Sequence, residues 1–112
     1  MERVAVFPLA EVLVPHQPAD PAVIVSGTPT TGSVSVTGIT GVEVGVWEMS
    51  SGSVRDVEAE EVFLLLAGHG VIELADGARF AIKAGDLVRL AAGTKTVWHV
   101  DEPLRKVYIT GA

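Results

Sequence analysis

Cysteine is absent from the 112 residues. Disulfides, thiolate nucleophiles and cysteine-ligated metals are therefore excluded. Basic residues are scarce: 8 Lys and Arg stand against 14 Asp and Glu, for a formal net charge of -6. No basic field exists to draw a nucleic acid or an anionic membrane surface. No stretch of ten or more residues carries a clean 3.6-residue period, so no organising helix is expected. The longest apolar run, at 62–67, falls far short of a membrane span. No basic N-terminus is followed by an apolar run, so a secretory leader is not expected, and the cytoplasm is the expected compartment. The chain has no His-Glu-x-x-His, phosphate loop or dinucleotide glycine pattern.

What is present is a β vocabulary. Hydrophobic residues make up 48%, dominated by Val, Leu, Ile and Ala, in a length that fits one domain. Segment 32–39 alternates Ser33, Ser35 and Thr37 with Val34 and Val36, the period of a half-buried strand. Further strands are expected at 41–49 and 61–67, with His69 in a following turn between Gly68 and Gly70. Residues 71–75 and 78–82 read as a hairpin around Asp76-Gly77, a pair suited to a type I′ turn. Residues 84–86 form another turn, and strands at 87–90, 95–100 and 105–109 complete the set. Five of the six prolines, Pro8 to Pro29, lie in the first quarter. There, 3–9 reads as a short strand, and 12–14 and 23–25 as short or edge strands. We read 1–31 as an arm packed on the barrel or on a partner subunit, covering its own valines and isoleucine, and 32–112 as the domain. Many short strands with glycine-rich turns imply an all-β barrel or sandwich, since closure removes exposed edges.

Two segments carry a more specific likeness. Glu61 and Gly68 are spaced as in the first conserved motif of the cupins, and Gly85, Asp86 and Gly93 as in the second, with Ala91 where that motif usually has Pro. Val46-Trp47-Glu48, Lys83-Ala84, Trp98-His99-Val100 and Arg105-Lys106-Val107-Tyr108 extend the likeness over roughly residues 40 to 110. The chain thus resembles the small single-domain cupins related to (S)-ureidoglycine aminohydrolase and to an ethanolamine-utilisation protein. The resemblance implies a double-stranded β-helix, or jelly roll. It also implies dimerisation, often through N-terminal strands, so a homodimer is expected.

The metal chemistry of that family does not carry over. Counting back from Glu61, the paired histidines would fall on Arg55 and Val57, or with one more spacer on Val54 and Asp56. Neither register supplies a His. The second-motif His falls on Thr96. Only Glu61 survives, and one carboxylate is a poor site for a transition metal. No metal or other cofactor is expected. His99 should face away from Thr96 and Trp98 by strand alternation, His69 should be wet, and His16 lies in the arm.

Strand parity then defines a candidate pocket. With Arg55 and Val57 inward, Glu61, Phe63 and Leu65 follow, with Thr96, Trp98 and Val100 opposite and Lys106 and Tyr108 on one face of the last strand. The expected ligand-binding set is Arg55, Glu61, Thr96, Trp98, Lys106 and Tyr108, with Trp47 as a second aromatic wall. A buried Glu61 demands a cation, either Arg55 or Lys106. The expected function is binding of a small polar metabolite; no catalytic residue can be assigned. The alternatives are an amide- or ureide-type aminohydrolase-like enzyme, and a non-catalytic scaffold whose barrel centre is closed by an ion pair and tryptophan.

Overall fold

The structure, a computed structural model, describes residues 2–111. Its strands are β1 (Gln17–Pro18), β2 (Ile24–Ser26), β3 (Thr30–Ile39), β4 (Val42–Met49), β5 (Gly52–Val57), β6 (Glu61–Leu74), β7 (Arg79–Lys83), β8 (Leu87–Leu90) and β9 (Lys95–Gly111). The only helical element among the described residues is a 3-10 turn at Leu9–Glu11. Among the described residues no helix is long and apolar enough to cross a membrane.

Two long strands organise the molecule. β6 and β9 pair antiparallel along nearly their whole length, and both bend midway, so each belongs to two sheets. One sheet runs β1-β3-β4-β9-β6-β8, using the second half of β9 and the first half of β6. The other runs β2-β5-β9-β6-β7, using the remaining halves. The sheets close over one core that includes Met49, Phe63, Leu65, Leu90 and Leu104 from the first and Val54, Ile72, Ile82, Trp98 and Val100 from the second. This is the double-stranded β-helix expected from the motif skeleton.

The bend explains where the sequence reading placed breaks that do not occur. His69 is not in a turn, because β6 continues through it and pairs it with Lys83 on β7. Residues 95–100 and 105–109 are likewise one strand, with Pro103 at the bend, where pairing skips from Glu102 to Arg105. A bulged ladder tolerates both a proline and a glycine pair, which in a flat strand would signal its end. The 71–82 hairpin forms, but its turn is not type I′. Asp76 keeps negative φ and only Gly77 is left-handed, at φ 90°. Gly77 N–H donates to Leu74 O at 3.0 Å and Leu74 N–H to Ala78 O at 2.8 Å. The connection is therefore a three-residue loop ending in a left-handed glycine, the second commonest hairpin solution.

The N-terminal segment meets the first sheet's outer side through one arginine. Arg105 donates to Leu9 O at 2.5 Å, to Val12 O at 2.8 Å and to Glu48 Oε2 at 2.5 Å. His16 bridges Glu48 Oε1 and Thr30 Oγ1, each at 2.8 Å. Burial works to raise the Glu48 carboxyl, but the hydrogen bonds and charges of His16 and Arg105 prevail and hold it below the ordinary range. Further on, β1 joins the edge of the first sheet through β3, and β2 the edge of the second through β5. The strands expected at 3–9 and 12–14 do not form. Val4, Val6 and Leu13 are among the most exposed apolar residues of the single chain.

Candidate functional site

A cleft of about 300 Å³ opens between the sheets, over the inner faces of β4, β5 and β9. Its walls include Trp47, Val54, Asp56, Glu58, Glu61, Trp98, Lys106 and Tyr108. The register accounts for this set. Val54 pairs with Trp98 and Asp56 with Thr96 across β5 and β9, while Trp47 pairs with Lys106 and Gly45 with Tyr108 across β4 and β9. Directly paired residues point to the same side of a sheet, so alternate positions of three strands converge on one space.

At the floor lies an ion pair. Lys106 Nζ donates to Glu61 Oε2 at 2.6 Å, and the Lys106 side chain is only 7% exposed. The ammonium also sits 4.6, 4.5 and 4.9 Å from the ring centroids of Trp47, Phe63 and Trp98. Three ring faces around one cation replace part of the water it loses. The two indoles pack 5.5 Å apart at a tilt of 57°. Glu61 therefore has the cation that its burial demanded, and that cation is Lys106.

A second carboxylate stands above. Glu58 follows β5, and its backbone is fastened to the turn before β9: Glu58 N–H donates to Thr94 O at 2.9 Å, and Gly93 N–H to Glu58 O at 2.8 Å. This anchoring turns the side chain inward, where the residue is 8% exposed. Thr96 Oγ1 donates to Glu58 Oε2 at 2.7 Å and Trp98 Nε1 donates to the same oxygen at 2.8 Å.

Asp56 stands beside Glu58 at the exposed rim, and its carboxyl is pushed up to about 6. Partial burial is the main cause, followed by the charge and hydrogen-bonding of Glu58; the Val57 N–H and the Lys106 charge oppose them. Tyr108 donates to Glu43 Oε1 at 2.8 Å. Burial first, then that bond and the charges of Glu43 and Glu61, pushes its phenol up to about 12. Tyr108 is thus a neutral donor at neutral pH.

The Asp56 environment has a measurable consequence for stability. The ordinary Asp value is 3.8, so the folded chain holds this proton more tightly than the unfolded one. Stability falls as pH rises from about 4 to 6, and above that the cost of the charge is complete. For a sealed group the cost would be about 3 kcal/mol. Asp56 is exposed on its solvent side, and screening reduces the expected cost to about 1 kcal/mol. Asp56→Asn is therefore expected to raise Tm by about 5 °C near pH 8. The difference should vanish below about pH 3, where Asp56 is protonated in both states. Thermal melts across that range check both halves of the expectation.

Of the six residues expected from the sequence, Glu61, Trp98, Lys106 and Tyr108 line the cleft. Thr96 is buried behind Glu58 and reaches the site through that carboxylate. Arg55 is a correction. It pairs with Val97 and faces the outer side of β5, in a separate groove. The strand follows the register that carries one more spacer, so Val54 and Asp56 point inward and Arg55 outward. A carried-over motif spacing that is one residue too short inverts every side chain before it. Glu58 and Asp56 were missed as site residues; the Val54–Asp56 register reaches Asp56, but Glu58 lies past the end of β5. His99 sits on the outer face, bonded to Ser53 at 2.9 Å and Glu73 at 2.8 Å. His69 lies at the bend, 3.3 Å from Glu102. Among the described residues no three His, Asp or Glu side chains come together to hold a metal ion.

Comparison with known proteins agrees with this architecture. The family model for the EutQ-like cupin domain matches residues 32–108. A protein of unknown function from Pseudomonas syringae superposes with a TM-score of 0.76 at 25% identity, covering 88% of this chain and 44% of the other. The chain therefore spans less than half the length of that relative. The EutQ protein of Clostridium difficile gives a TM-score of 0.77 at 18% identity, covering 95% and 85%. A Thermotoga maritima protein is 31% identical over 56% of this chain and 73% of its own, with a TM-score of 0.55. Among curated proteins, none matches the chain in sequence. With the family model spanning the barrel from β3 to β9, this chain belongs to the EutQ-like cupin domain family.

Proposed function

We propose that the chain binds a small polar metabolite in the cleft above the Lys106–Glu61 pair. One observation carries this reading: the space keeps Asp56, Glu58, Glu61 and Lys106 where apolar residues would close it more stably. A pure scaffold has no use for a polar hollow of about 300 Å³, at the lower end of ligand-site volumes. The ion pair closes the floor of the barrel, but the space between Trp98, Tyr108 and Glu58 remains open. The test is a thermal-shift screen of small polar metabolites against the wild-type chain and Glu58→Gln. At least one compound is expected to raise the wild-type melting temperature and to lose that effect in the variant. A screen with no stabilising compound favours the scaffold.

A second reading is supported by Asp56. A carboxyl held near 6 beside an open cleft is poised to give or take a proton near neutral pH. Amide- or ureide-type hydrolysis would use Asp56 rather than the neutral phenol of Tyr108. Turnover of a bound amide that disappears in Asp56→Asn, with binding retained, distinguishes this reading from binding alone.

We further propose a cytoplasmic homodimer. Exposed apolar side chains on β8 and in the N-terminal segment, Leu87, Val4 and Val6, support pairing. A monomeric mass by light scattering at high micromolar concentration would count against it.

A further inference from the structure

We propose that the ligand of this cleft carries a protonated amine, seated against Glu58 and Asp56 with the indoles of Trp47 and Trp98 beside it. The inference rests on the reading that the cleft binds a small molecule, and it names the chemistry of that molecule.

The argument is one of missing counter-charge. Three carboxylates line the space, those of Asp56, Glu58 and Glu61, against one ammonium, that of Lys106. Lys106 is committed to Glu61 at 2.6 Å. Among the described residues neither Asp56 nor Glu58 has a cation within ion-pair distance. Arg55, adjacent in sequence, is on the far side of the strand. Glu58 is nevertheless more than nine-tenths buried. Burying a carboxylate without a compensating cation is among the costliest arrangements a small domain can hold.

The geometry shows where the missing charge belongs. Both donors to Glu58, from Thr96 and Trp98, end on Oε2. With Asp56 ionised, no described residue donates to Oε1. Glu58 lines the cleft, so its carboxylate borders the space a ligand would occupy. Asp56 lies beside that carboxylate, within hydrogen-bonding reach of Glu58, and accepts from the adjacent Val57 N–H at 2.8 Å. Two neighbouring carboxylates must share a proton or accept a cation between them.

The alternatives fit less well. An anionic ligand would add negative charge to a space already short of positive charge. A neutral amide could hydrogen-bond to Oε1 but would leave both charges uncompensated. No described trio of ligating side chains is placed to hold a metal ion. An alkylammonium brings three donors and one charge. The indole faces favour a cation, as their contacts with Lys106 already show.

Three small probes with short alkyl tails test the inference by isothermal calorimetry on the full chain: propylammonium, propionamide and propionate, at mildly alkaline pH. Propylammonium is expected to bind at least about tenfold more tightly than either other probe, as one compensated charge would give. Glu58→Gln is expected to abolish that preference. Asp56→Asn, which keeps the buried network intact, is expected to reduce it and serves if Glu58→Gln does not fold. Equal or tighter binding of propionate or propionamide overturns the inference, as does a preference unchanged in the variants. If no probe binds but a metabolite from the screen does, the amine class is wrong and the cleft reading stands. If nothing binds at all, both fail.

Discussion

Lys106→Ala is expected to cost the fold about 3–5 kcal/mol, the usual price of stranding one partner of a buried ion pair. Glu61 would lose the one cation that pairs with it among the described residues, at 2.6 Å, and the rings of Trp47, Phe63 and Trp98 would lose the ammonium between them. For a domain of this size the loss corresponds to a fall in Tm of roughly 15–25 °C. Removing both charges while keeping the volume should behave differently. The double variant Lys106→Met with Glu61→Leu is expected to recover most of the loss, because a buried pair often does no better than well-packed apolar residues. Denaturant unfolding of the two variants separates the effects. A loss below about 1 kcal/mol for Lys106→Ala would mean that the pair behaves as a solvated surface bridge.

Gly68→Ala is expected to destabilise by about 2–5 kcal/mol, adding a left-handed backbone penalty of about 1–2 to an overpacking cost of about 1–3. Gly68 has φ +86°, and a Cβ there would run into the Pro103 carbonyl oxygen, with Glu102 O at 2.7 Å. Those neighbours are backbone of β9 at its own bend, so neither strand can yield without disturbing both sheets. Gly77→Ala provides the comparison. Gly77 is also left-handed, at φ +90°, but nothing lies within 4 Å of its would-be Cβ. It should lose only the backbone penalty of about 1–2 kcal/mol. If the two variants lose the same stability, the close crossing of β6 and β9 is not what requires glycine at 68.

That glycine also shows what could be read from the sequence. The spacing from Glu61 to Gly68 pointed to the barrel, and the structure supplies the reason, since the spacing spans the first half of β6 up to its bend. Strand alternation correctly put Glu61, Phe63, Leu65, Trp98, Lys106 and Tyr108 on one side. It failed at Arg55 because parity was carried across residues 58–60, which are not in a strand. Alternation holds only along continuous β backbone, and an irregular link resets it. Glu58 was invisible for the same reason: its inward turn comes from hydrogen bonds to Gly93 and Thr94, a long-range contact that no local pattern encodes. The long strands were broken too early at Gly68–Gly70 and Pro103, since sequence alone does not distinguish a bulged bend from a turn.

The claim that the space above Lys106 is a ligand site can be tested at one proton. The chain has two tryptophans, so its nitrogen–proton correlation spectrum contains two indole signals, and Trp98→Phe assigns them. The Trp98 indole N–H donates to Glu58 Oε2 at 2.8 Å inside the cleft. Any molecule that seats on Glu58 must change that bond. Titration with the compounds that raise the melting temperature is therefore predicted to shift the Trp98 indole signal progressively and to saturation. A Trp98 signal that stays fixed while those compounds stabilise the protein would contradict the account and place their binding elsewhere.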